Sequence, residues 1–478
     1  MKSHKAFLFL VLLPCLSLTS CYHEFPGGGG GSTGGGGGGT GNTILNVTLT
    51  STPSSTVSFV KLNWSIGAIN LINAAGQPTA LTLSTSQVPE LVRLQTDSLF
   101  LGQTTIPAGS YTNLQLQFNA PATSYFYNST NATLLGCASR LVCSIPGTVA
   151  GFGASTVTVP ITYTATANQS TGIRINLDLS KAVTIAGGMT FDFTQTGAVT
   201  IATLPPLSSQ TSGLDTVDNF TGTVTAKTST TITVSSAALG ASTFTMSPTA
   251  EFDDPFNICG GQASFSCFVV NQNVSLDGVL NSDGTMTANE VEFLDPAPLV
   301  NELEGVVITP FVNNQFKMIL TNGMGTAAAG ALVSQSLTVT LNNAPSFFVD
   351  PKNLGIATTP LGFQSSADLV MGQKVMLQGG TNGNLTLTNP TQVVLRYSSM
   401  GGSVQLIGNP FTLSNVDPLF SNLLNDTTLV QTYLNTASDN ISQLSSLQPG
   451  TVTSVRGLYL NPNSGATTPV LAAKVRTH

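Results

Sequence analysis

The amino-acid sequence predicts an all-β multidomain protein: an N-terminal β-sandwich followed by two or three tandem small β-barrel units, the last with a helical insertion. Three observations support this fold class. Polar and apolar residues alternate with a period of two, turn-forming residues separate the alternating segments, and similar segments recur in the C-terminal half. The chain has 478 residues, too many for one ordinary hydrophobic core, so several domains are expected.

Residues 1–20 have the features of a signal peptide. Lys2 and Lys5 form a basic start, and the apolar segment that follows is too short to span a bilayer. Small residues then precede Cys21 in the sequence LTSC, which resembles the bacterial lipobox. The resemblance implies that Cys21 is acylated, becomes the first residue of the mature chain and holds it to a membrane through its acyl chains.

Residues 21–41 are interpreted as the lipidated cysteine and a flexible glycine-rich tether. Glycine has no side chain to bury and loses the most entropy on ordering, so such a tract is expected to remain a coil. Residues 30–34, GGSTG, match the G-x-S-x-G pattern of hydrolases. That pattern requires a strand before it, a helix after it and a histidine partner, so the glycine-rich context favours a tether.

Composition excludes some classes of partner. Only 8% of the residues are charged, against about a quarter in a typical protein. The net charge of −7 leaves no basic footprint, so no nucleic acid is expected as a partner. After the leader, no run of apolar residues is long enough to span a membrane as a helix. No cofactor is expected.

Four cysteines outside the leader and the lipobox form two local pairs. Cys137 lies close to Cys143, and Cys259 lies close to Cys267. An even number of cysteines in an exported chain predicts disulfides. Metal binding is the alternative, but structural zinc needs four convergent cysteine or histidine ligands, and the two pairs are far apart in sequence with no histidine near them.

The first folded domain is predicted over residues 42–204. Alternating segments indicate half-buried strands, for example at residues 60–66 and 157–163. The sequence PAGSY at residues 107–111 predicts a tight turn before a strand, with the Tyr111 ring packed and its hydroxyl bonded to the backbone. These features resemble an uncharacterised family of bacterial lipoprotein β-sandwich domains that share a P-A-G-x-Y turn. Members often have Asp-x-Pro after the first strand, where this chain has STP.

A linker over residues 205–218 is followed by segments that recur at irregular intervals, which indicates tandem small domains. They resemble a second uncharacterised family, small β-barrel repeats of exported bacterial proteins with some likeness to OB-type barrels. A glycine at a strand bend suits a small barrel, where a side chain would crowd the corner. Each unit is expected to have its own core, with a natural break at the prolines of residues 295–298. The predicted units are residues 219–296, 301–398 and 402–478.

The third unit departs from the strand pattern over residues 417–447. Apolar residues there recur at helical spacing, with Asp417 as a cap and Pro418 in the first turn. One or two amphipathic helices are therefore predicted as an insertion that covers an open barrel end. A helix that binds a partner is the alternative.

The small number of histidines limits the catalytic chemistry that the folded domains can perform. The chain has three, His4, His23 and His478, all close to its ends. A Ser-His-Asp or Cys-His apparatus therefore has no base in the folded domains, and a non-enzymatic body is expected.

Two weaker candidate sites remain. The acidic residues Glu251, Asp253 and Asp254 are a weak calcium candidate. The aromatic run Tyr125, Phe126 and Tyr127 is a weak candidate for stacking on sugars.

The sequence as a whole favours a cell-envelope lipoprotein with a structural or adhesive role, presented on a flexible tether. The alternative is a carbohydrate-binding or carbohydrate-active accessory lipoprotein. By resemblance to lipoprotein sorting, retention in an inner membrane usually needs aspartate after the lipidated cysteine, and Tyr22 favours the outer membrane instead. The expected partners are the membrane and an unidentified protein or glycan.

Overall fold

The computed structural model describes residues 41–83, 88–204, 213–237, 239–254, 256–295, 300–350, 354, 362–420, 427–432, 447–462 and 469–478. Nearly all regular structure in these ranges is β-strand, which confirms the predicted all-β class. The described residues belong to one compact unit by their contacts. No helix among them is long and apolar enough to cross a membrane.

The strands of the N-terminal part are β1 (Asn42–Thr52), β2 (Ser58–Lys61), β3 (Ile66–Asn73), β4 (Pro78–Ala80), β5 (Leu99–Pro107), β6 (Gly109–Phe118), β7 (Tyr125–Tyr127), β8 (Val142–Ser144), β9 (Ser155–Ala165), β10 (Ser170–Asp178), β11 (Val183–Thr184), β12 (Thr190–Phe191) and β13 (Val199–Leu204). Eight of them form the predicted sandwich of two four-stranded sheets, in the orders β13-β10-β1-β5 and β4-β3-β6-β9. A three-stranded sheet β2-β7-β8 and a two-stranded sheet β11-β12 accompany the sandwich. Apolar residues of both sandwich sheets form one core. A 3-10 helix spans Arg93–Gln95, and α1 spans Leu179–Ala182.

The turn between β5 and β6 has the form that its sequence predicts. Gly109 has a φ of 150°, a conformation that favours glycine. The Tyr111 ring is buried, and its hydroxyl donates to the carbonyl oxygen of Pro107 at 2.8 Å. The tyrosine therefore fastens the turn to the core that follows it.

Three further groups of strands follow the sandwich. The first contains β14 (Gly213–Lys227), β15 (Thr231–Ser236), β16 (Gly240–Asp253), a 3-10 helix (Phe265–Cys267), β17 (Asn273–Asn281) and β18 (Met286–Phe293). The second contains β19 (Glu302–Val307), β20 (Gln315–Met324), α2 (Ala327–Ala331), β21 (Ser336–Thr340), β22 (Ser346–Val349), a 3-10 helix (Ser366–Asp368), β23 (Lys374–Gln378), β24 (Thr381–Gly383), β25 (Thr386–Thr388) and β26 (Gln392–Arg396). The third contains β27 (Ser398–Leu406), β28 (Phe411–Ser414), β29 (Thr427–Thr432), β30 (Val452–Tyr459) and β31 (Val470–Thr477).

The first and third groups are closed five-stranded barrels, in the orders β14-β15-β16-β18-β17 and β27-β28-β29-β31-β30. We call them the first barrel and the third barrel, after the groups to which they belong. In both barrels the third strand runs parallel to the fifth, and the fourth strand contains a glycine at a register shift. A β-carbon at Gly278 would meet the carbonyl oxygen of Thr287, and one at Gly457 would meet that of Leu471. The glycines therefore permit the close backbone approach at which each barrel bends.

The middle group is an eight-stranded sheet instead of a third closed barrel, in the order β22-β26-β23-β19-β20-β21-β25-β24. Its pairing resembles that of the barrels, but the strand corresponding to their third is divided into β21 and β22. Each half pairs in parallel with a different strand, β21 with β25 and β22 with β26. Because the third strand is interrupted, it does not bridge the two sides of the sheet as β16 does in the first barrel.

The prediction of a helical insertion at residues 417–447 is wrong for the central part of this segment. Thr427–Thr432 is strand β29, which pairs with β28 and runs parallel to β31. The segment is rich in β-branched residues, and without it the edges of β28 and β31 would be unpaired. A helical turn is present at residues 418–420, and residues 421–426 and 433–446 lie outside the described ranges.

Hydrophobic contacts cross the expected domain boundaries. One core cluster contains Trp64 of the sandwich and Phe244 of the first barrel. Another joins Val60 of the sandwich to Val455 of the third barrel. Asp295, at the expected break, is fully buried. The units therefore share apolar cores, since small barrels bury a limited fraction of their surface by themselves.

Both predicted disulfides are present. Cys137 is bonded to Cys143 and Cys259 to Cys267, with Cα–Cα distances of 5.8 and 5.3 Å. Each closes a short surface loop, one in the sandwich and one between β16 and β17.

Candidate functional site at the junction of the β units

The calcium candidate is not assembled into a site among the described residues. Glu251 and Asp253 are exposed at the end of β16. Both carboxylate oxygens of Asp254 accept backbone hydrogen bonds at 2.8 Å, from Ile258 and Cys259. The described ranges contain no group of three or more acidic, histidine or cysteine side chains that could hold a metal ion. Asp254 instead orders the start of the disulfide loop.

The aromatic run in β7 is not an exposed platform, which corrects the expectation of sugar stacking there. Phe126 and Tyr127 are buried, and Tyr125 is half-buried with its hydroxyl donating to the carbonyl oxygen of Ser334 at 3.2 Å. Phe126 packs into the core cluster of the sandwich and first barrel, and Tyr125 and Tyr127 pack into the cluster that contains the third barrel. The lipid-attachment candidate Cys21 lies outside the described residues.

A cluster of charged side chains lies inside the molecule where the sandwich and the three other groups meet. Most of its members are buried, which is rare for charged residues unless they are paired. We call it the junction cluster and define it as Lys61, Glu90, Arg93, Asp97, Glu292, Glu304, Asp350, Lys374, Arg396, Arg456, Lys474 and Arg476.

The sandwich contributes a tight turn that begins at Glu90. The Glu90 carboxylate accepts backbone hydrogen bonds from Leu62 at 3.0 Å, from Val92 at 3.1 Å and from Arg93 at 2.8 Å. These bonds fix the start of the 3-10 helix Arg93–Gln95 against β2. The turn therefore presents Arg93 and Asp97 to the junction in a defined orientation.

Asp97 connects the sandwich to the third barrel. Its carboxylate pairs with Arg93 Nε at 3.0 Å, with Arg456 of β30, and with Lys474 Nζ of β31 at 4.0 Å. Arg476 Nη1 donates to the Asp97 carbonyl oxygen at 2.8 Å. Burial alone would raise the pKa of Asp97, but Arg456, Arg93 and Lys474 hold it well below its usual range. Asp97 is therefore ionised at all physiological pH values.

In the middle group, Glu304 is a buried carboxylate surrounded by cations, as Asp97 is in the sandwich. It pairs with Lys374 of β23 and lies 3.7 Å from Arg396 Nε of β26. Burial would raise the pKa of Glu304, but the two cations lower it to about 2. Arg396 also pairs with Asp350 and lies 3.6 Å from Glu292 of the first barrel, so this centre joins two groups.

Lys61 of β2 reaches from the sandwich into the middle group. Its side chain is 1% exposed, and Nζ donates to the carbonyl oxygens of Leu320 at 3.0 Å and Thr321 at 3.4 Å. Burial lowers the pKa of Lys61 to about 8, an effect that Glu90 partly opposes. The lysine is therefore held by carbonyl dipoles and a nearby carboxylate.

Two neighbouring pockets, of about 60 and about 10 Å³, lie beside the junction cluster. The residues that line both pockets are Arg93, Glu304, Lys374, Tyr397 and Arg456. Glu304 and Lys374 come from β19 and β23 of the middle group, Arg93 from the sandwich turn and Arg456 from β30. Tyr397 lies between β26 and β27. The pockets are therefore formed where the groups meet.

A separate pair of buried carboxyl groups lies between the first barrel and the middle group. Asp295 accepts hydrogen bonds from the side chain of Gln272 and the backbone of Asn273, and Glu302 accepts one from Gln378. Burial raises the pKa of Asp295 to about 8, and burial together with Asp295 raises that of Glu302 well above its usual range. Both carboxyl groups therefore remain largely protonated at neutral pH.

The junction cluster is suited to fixing the orientation of the sandwich and the three other groups relative to one another. A buried ion pair adds little net stability, because the cost of removing both charges from water offsets their attraction. Breaking such a pair, however, leaves a charge without compensation and is costly. The junction cluster therefore opposes any rearrangement that separates the groups.

Sequence reasoning missed this cluster. A signal was present in Lys474 and Arg476, which lie at alternate positions of a strand in a chain with few charges. Period two places both on one face of the strand. Only the packing of the third barrel against the sandwich buries it.

Comparisons with known proteins identify the first domain in coarse terms. Residues 42–194 match a family described as a domain of unknown function, DUF4382, which supports the expected resemblance of this region to an uncharacterised family. The solved structure of MbnP from Methylosinus trichosporium is 13% identical, with 30% of this chain and 76% of that chain covered and a TM-score of 0.16. That score is too low to support an argument about fold or function. No curated protein matches the chain.

Proposed function

We propose that this chain is a lipid-anchored protein of the cell envelope, located at the outer membrane, with a structural or adhesive role. The observation that carries the proposal is the junction cluster, because Asp97 and Arg396 make ion pairs between groups that the sequence presents as separate units. A body with internal ion pairs at its unit boundaries keeps its surface loops in fixed relative positions. Such a body suits contact with a partner at the end of a flexible tether.

The one histidine among the described residues supports a non-enzymatic body. His478 Nε2 lies 2.9 Å from the Ser454 hydroxyl, and Nδ1 lies 3.3 Å from that of Thr52. Burial and the neighbouring Arg476 lower the pKa of His478 to about 3. The imidazole is therefore neutral at physiological pH and far from the value that suits a general base.

Lipid anchoring is tested by Cys21→Ser, with Cys15→Ser as the matched control inside the same leader. We expect Cys21→Ser to leave an unprocessed or soluble protein and Cys15→Ser to remain in the membrane fraction and incorporate labelled fatty acid. Persistence of the Cys21→Ser protein in the membrane fraction with acyl label would refute the anchor.

The structural or adhesive role is tested in cells that lack the protein. Such cells should adhere less to the surfaces on which they grow, or should lose envelope integrity. Expression of the wild-type chain should restore adhesion or envelope integrity. Selective binding on a glycan array would instead favour the carbohydrate-binding alternative. Turnover of a glycan would contradict the non-enzymatic assignment.

A further inference from the structure

The apolar boundary between the first barrel and the middle group is small. Apolar side chains of the first barrel belong to the same core as those of the sandwich, whereas the middle group packs into a separate cluster with part of the third barrel. Across the boundary, the described residues form a cluster of four apolar side chains, Leu294, Met324, Met376 and Val394. So few side chains bury little apolar area, and polar contacts therefore contribute much of the interaction between the two groups.

Asp295 and Glu302 lie at this boundary, and we call them the carboxyl pair. Asp295 directly follows Leu294 at the end of the first barrel, and Glu302 is the first residue of β19 in the middle group. Both residues are fully buried. Asn273 of the first barrel joins them, since its backbone N–H donates to Asp295 Oδ2 at 3.3 Å and its Nδ2 donates to Glu302 Oε2 at 3.4 Å. A single asparagine therefore links the two carboxyl groups.

The hydrogen-bond donors to the carboxyl pair are neutral amides. They belong to Gln272 and Asn273 of the first barrel and to Gln378 of the middle group. Gln378 also donates to the carbonyl oxygen of Leu294 at 2.6 Å, so this side chain spans the boundary. No ion pair joins either carboxyl group to a lysine or arginine of the described ranges. The pair therefore depends on its protons for compensation.

The other charged groups near Glu302 do not supply a counter-charge for the pair. Arg396 and Glu304 act on the pKa of Glu302 in opposite directions. Arg396 is itself paired with Asp350 and lies 3.6 Å from Glu292 of the first barrel and 3.7 Å from Glu304. Two ionised carboxylates at this boundary would repel each other with neither water nor a cation to compensate them, so the protonated pair is favoured.

The carboxyl pair differs in this respect from the carboxylates of the junction cluster. Asp97 and Glu304 are buried beside cations and remain ionised, so their contacts do not change in the neutral pH range. Burial raises the pKa of Asp295 to about 8, and burial together with Asp295 raises that of Glu302 well above its usual range. The ion pairs of the sandwich with the third barrel therefore persist over a pH range in which the carboxyl pair loses protons.

We propose that the carboxyl pair is a pH-sensitive switch: Asp295 and Glu302 hold the first barrel against the middle group while they are protonated, and loss of their protons above neutral pH releases this boundary. The ion pairs between the sandwich and the third barrel stay formed. On release, Arg396 loses its contact with Glu292 but keeps both of its carboxylate partners within the middle group. The switch thus loosens one boundary of the body and leaves the others intact.

Proton linkage determines the size of the effect. In the open state both carboxyl groups contact water, and their pKa values return to the ordinary range of about 4. Opening therefore releases protons, and each proton released makes the opening constant rise about tenfold per pH unit between the ordinary and the raised pKa. With two protons released, the constant rises about hundredfold per pH unit as the pH approaches about 8, the pKa of Asp295 in the closed state.

Hydrogen–deuterium exchange of the full-length chain in detergent measures this opening between about pH 5.5 and about pH 7.5, with each rate divided by the intrinsic chemical rate at that pH. The reporter amides are those of Asn273, which donates to Asp295, and Gly325, which donates across the boundary to the Thr223 hydroxyl at 3.0 Å. Amides of β1 in the sandwich core are the internal reference. We expect the reporters to exchange faster than the reference and to follow the two-proton slope.

Amide substitutions show how many protons each group releases. Asp295→Asn and Glu302→Gln keep the shape of the protonated groups and cannot ionise. We expect a slope of about tenfold per pH unit in each single variant, instead of about hundredfold, and no remaining slope in the double variant. Glu251→Gln is the matched control, because it removes an exposed carboxylate from β16 of the same barrel, and it should keep the wild-type slope.

Three results would overturn the proposal. One is the same slope in the wild-type chain and the double variant, which would assign the proton release to other groups. Another is exchange of the β1 amides at the same rate and with the same slope as the reporters, which would couple the pair to global unfolding instead of to this boundary. The third is a wild-type slope of zero, which would mean that the closed pair holds no protons. If the double variant fails to fold, the single variants decide, because the wild-type slope in either one contradicts the proposal.

Discussion

Replacing Asp97 by asparagine tests the junction cluster most directly. The Asp97 carboxylate pairs with Arg93, Arg456 and Lys474, and all four side chains are almost fully buried. Asparagine keeps the shape but removes the negative charge that compensates these cations. Removing one partner of a buried ion pair costs about 3–5 kcal/mol. We expect a loss of unfolding free energy in that range.

Urea unfolding followed by two probes measures this loss. The single tryptophan, Trp64, lies in the sandwich core and reports on that part, whereas far-ultraviolet circular dichroism reports on all strands. Because Asp97 joins the sandwich to the third barrel, both probes should shift together to a lower urea concentration. The control is Glu251→Gln, which removes the same charge at an exposed strand position and should change stability by less than about 0.5 kcal/mol. If Asp97→Asn costs no more than this control, the cluster does not hold the units together.

Three further predictions concern the barrels and their boundaries. Asp295 has a pKa of about 8 in the folded chain and an ordinary one when unfolded, so stability should fall as the pH rises from about 4 to about 8; urea midpoints across this range should fall less steeply in Asp295→Asn. Gly278→Ala should cost about 1–3 kcal/mol, because its β-carbon meets the Thr287 carbonyl, whereas Gly147→Ala meets nothing and should be neutral in the same thermal assay. A chain truncated after residue 296 should aggregate or lose the native Trp64 fluorescence, since Lys61 and Asp97 lose the groups they bind; a native spectrum would contradict shared cores.

The strand content of this chain was predictable because alternation is a local property. Tyr111 is an example: the turn sequence before it predicts both the buried ring and the backbone hydrogen bond that the structure contains. The disulfides were predictable for a similar reason, since each links cysteines close in sequence. Features determined within about ten residues can be derived from the sequence with period, turn chemistry and spacing.

The errors arose where distant segments compete. The apolar spacing around Val430 is compatible with a helix, but β28 and β31 provide hydrogen-bonding partners that favour a strand. Similarly, the run at Phe126 has the composition of a binding platform, but the hydrophobic clusters on both faces of its strand cover it. In both cases the neighbours that decide the outcome lie far away in sequence, so no local pattern contains them.

The junction cluster shows where many of the few charged residues of this chain lie. Of the 37 lysine, arginine, aspartate and glutamate residues in the sequence, 13 are buried within the described ranges, although such residues are normally exposed. Many of the few charges lie between the groups, where an unpaired charge is most costly and where pairing therefore discriminates most strongly between arrangements. Apolar contacts between small barrels are compatible with several relative orientations, whereas the pairs of Asp97 with Arg456 and of Glu292 with Arg396 join different groups and can be satisfied together in one. The cores thus supply the attraction between the groups, and the buried charges select the orientation in which they dock.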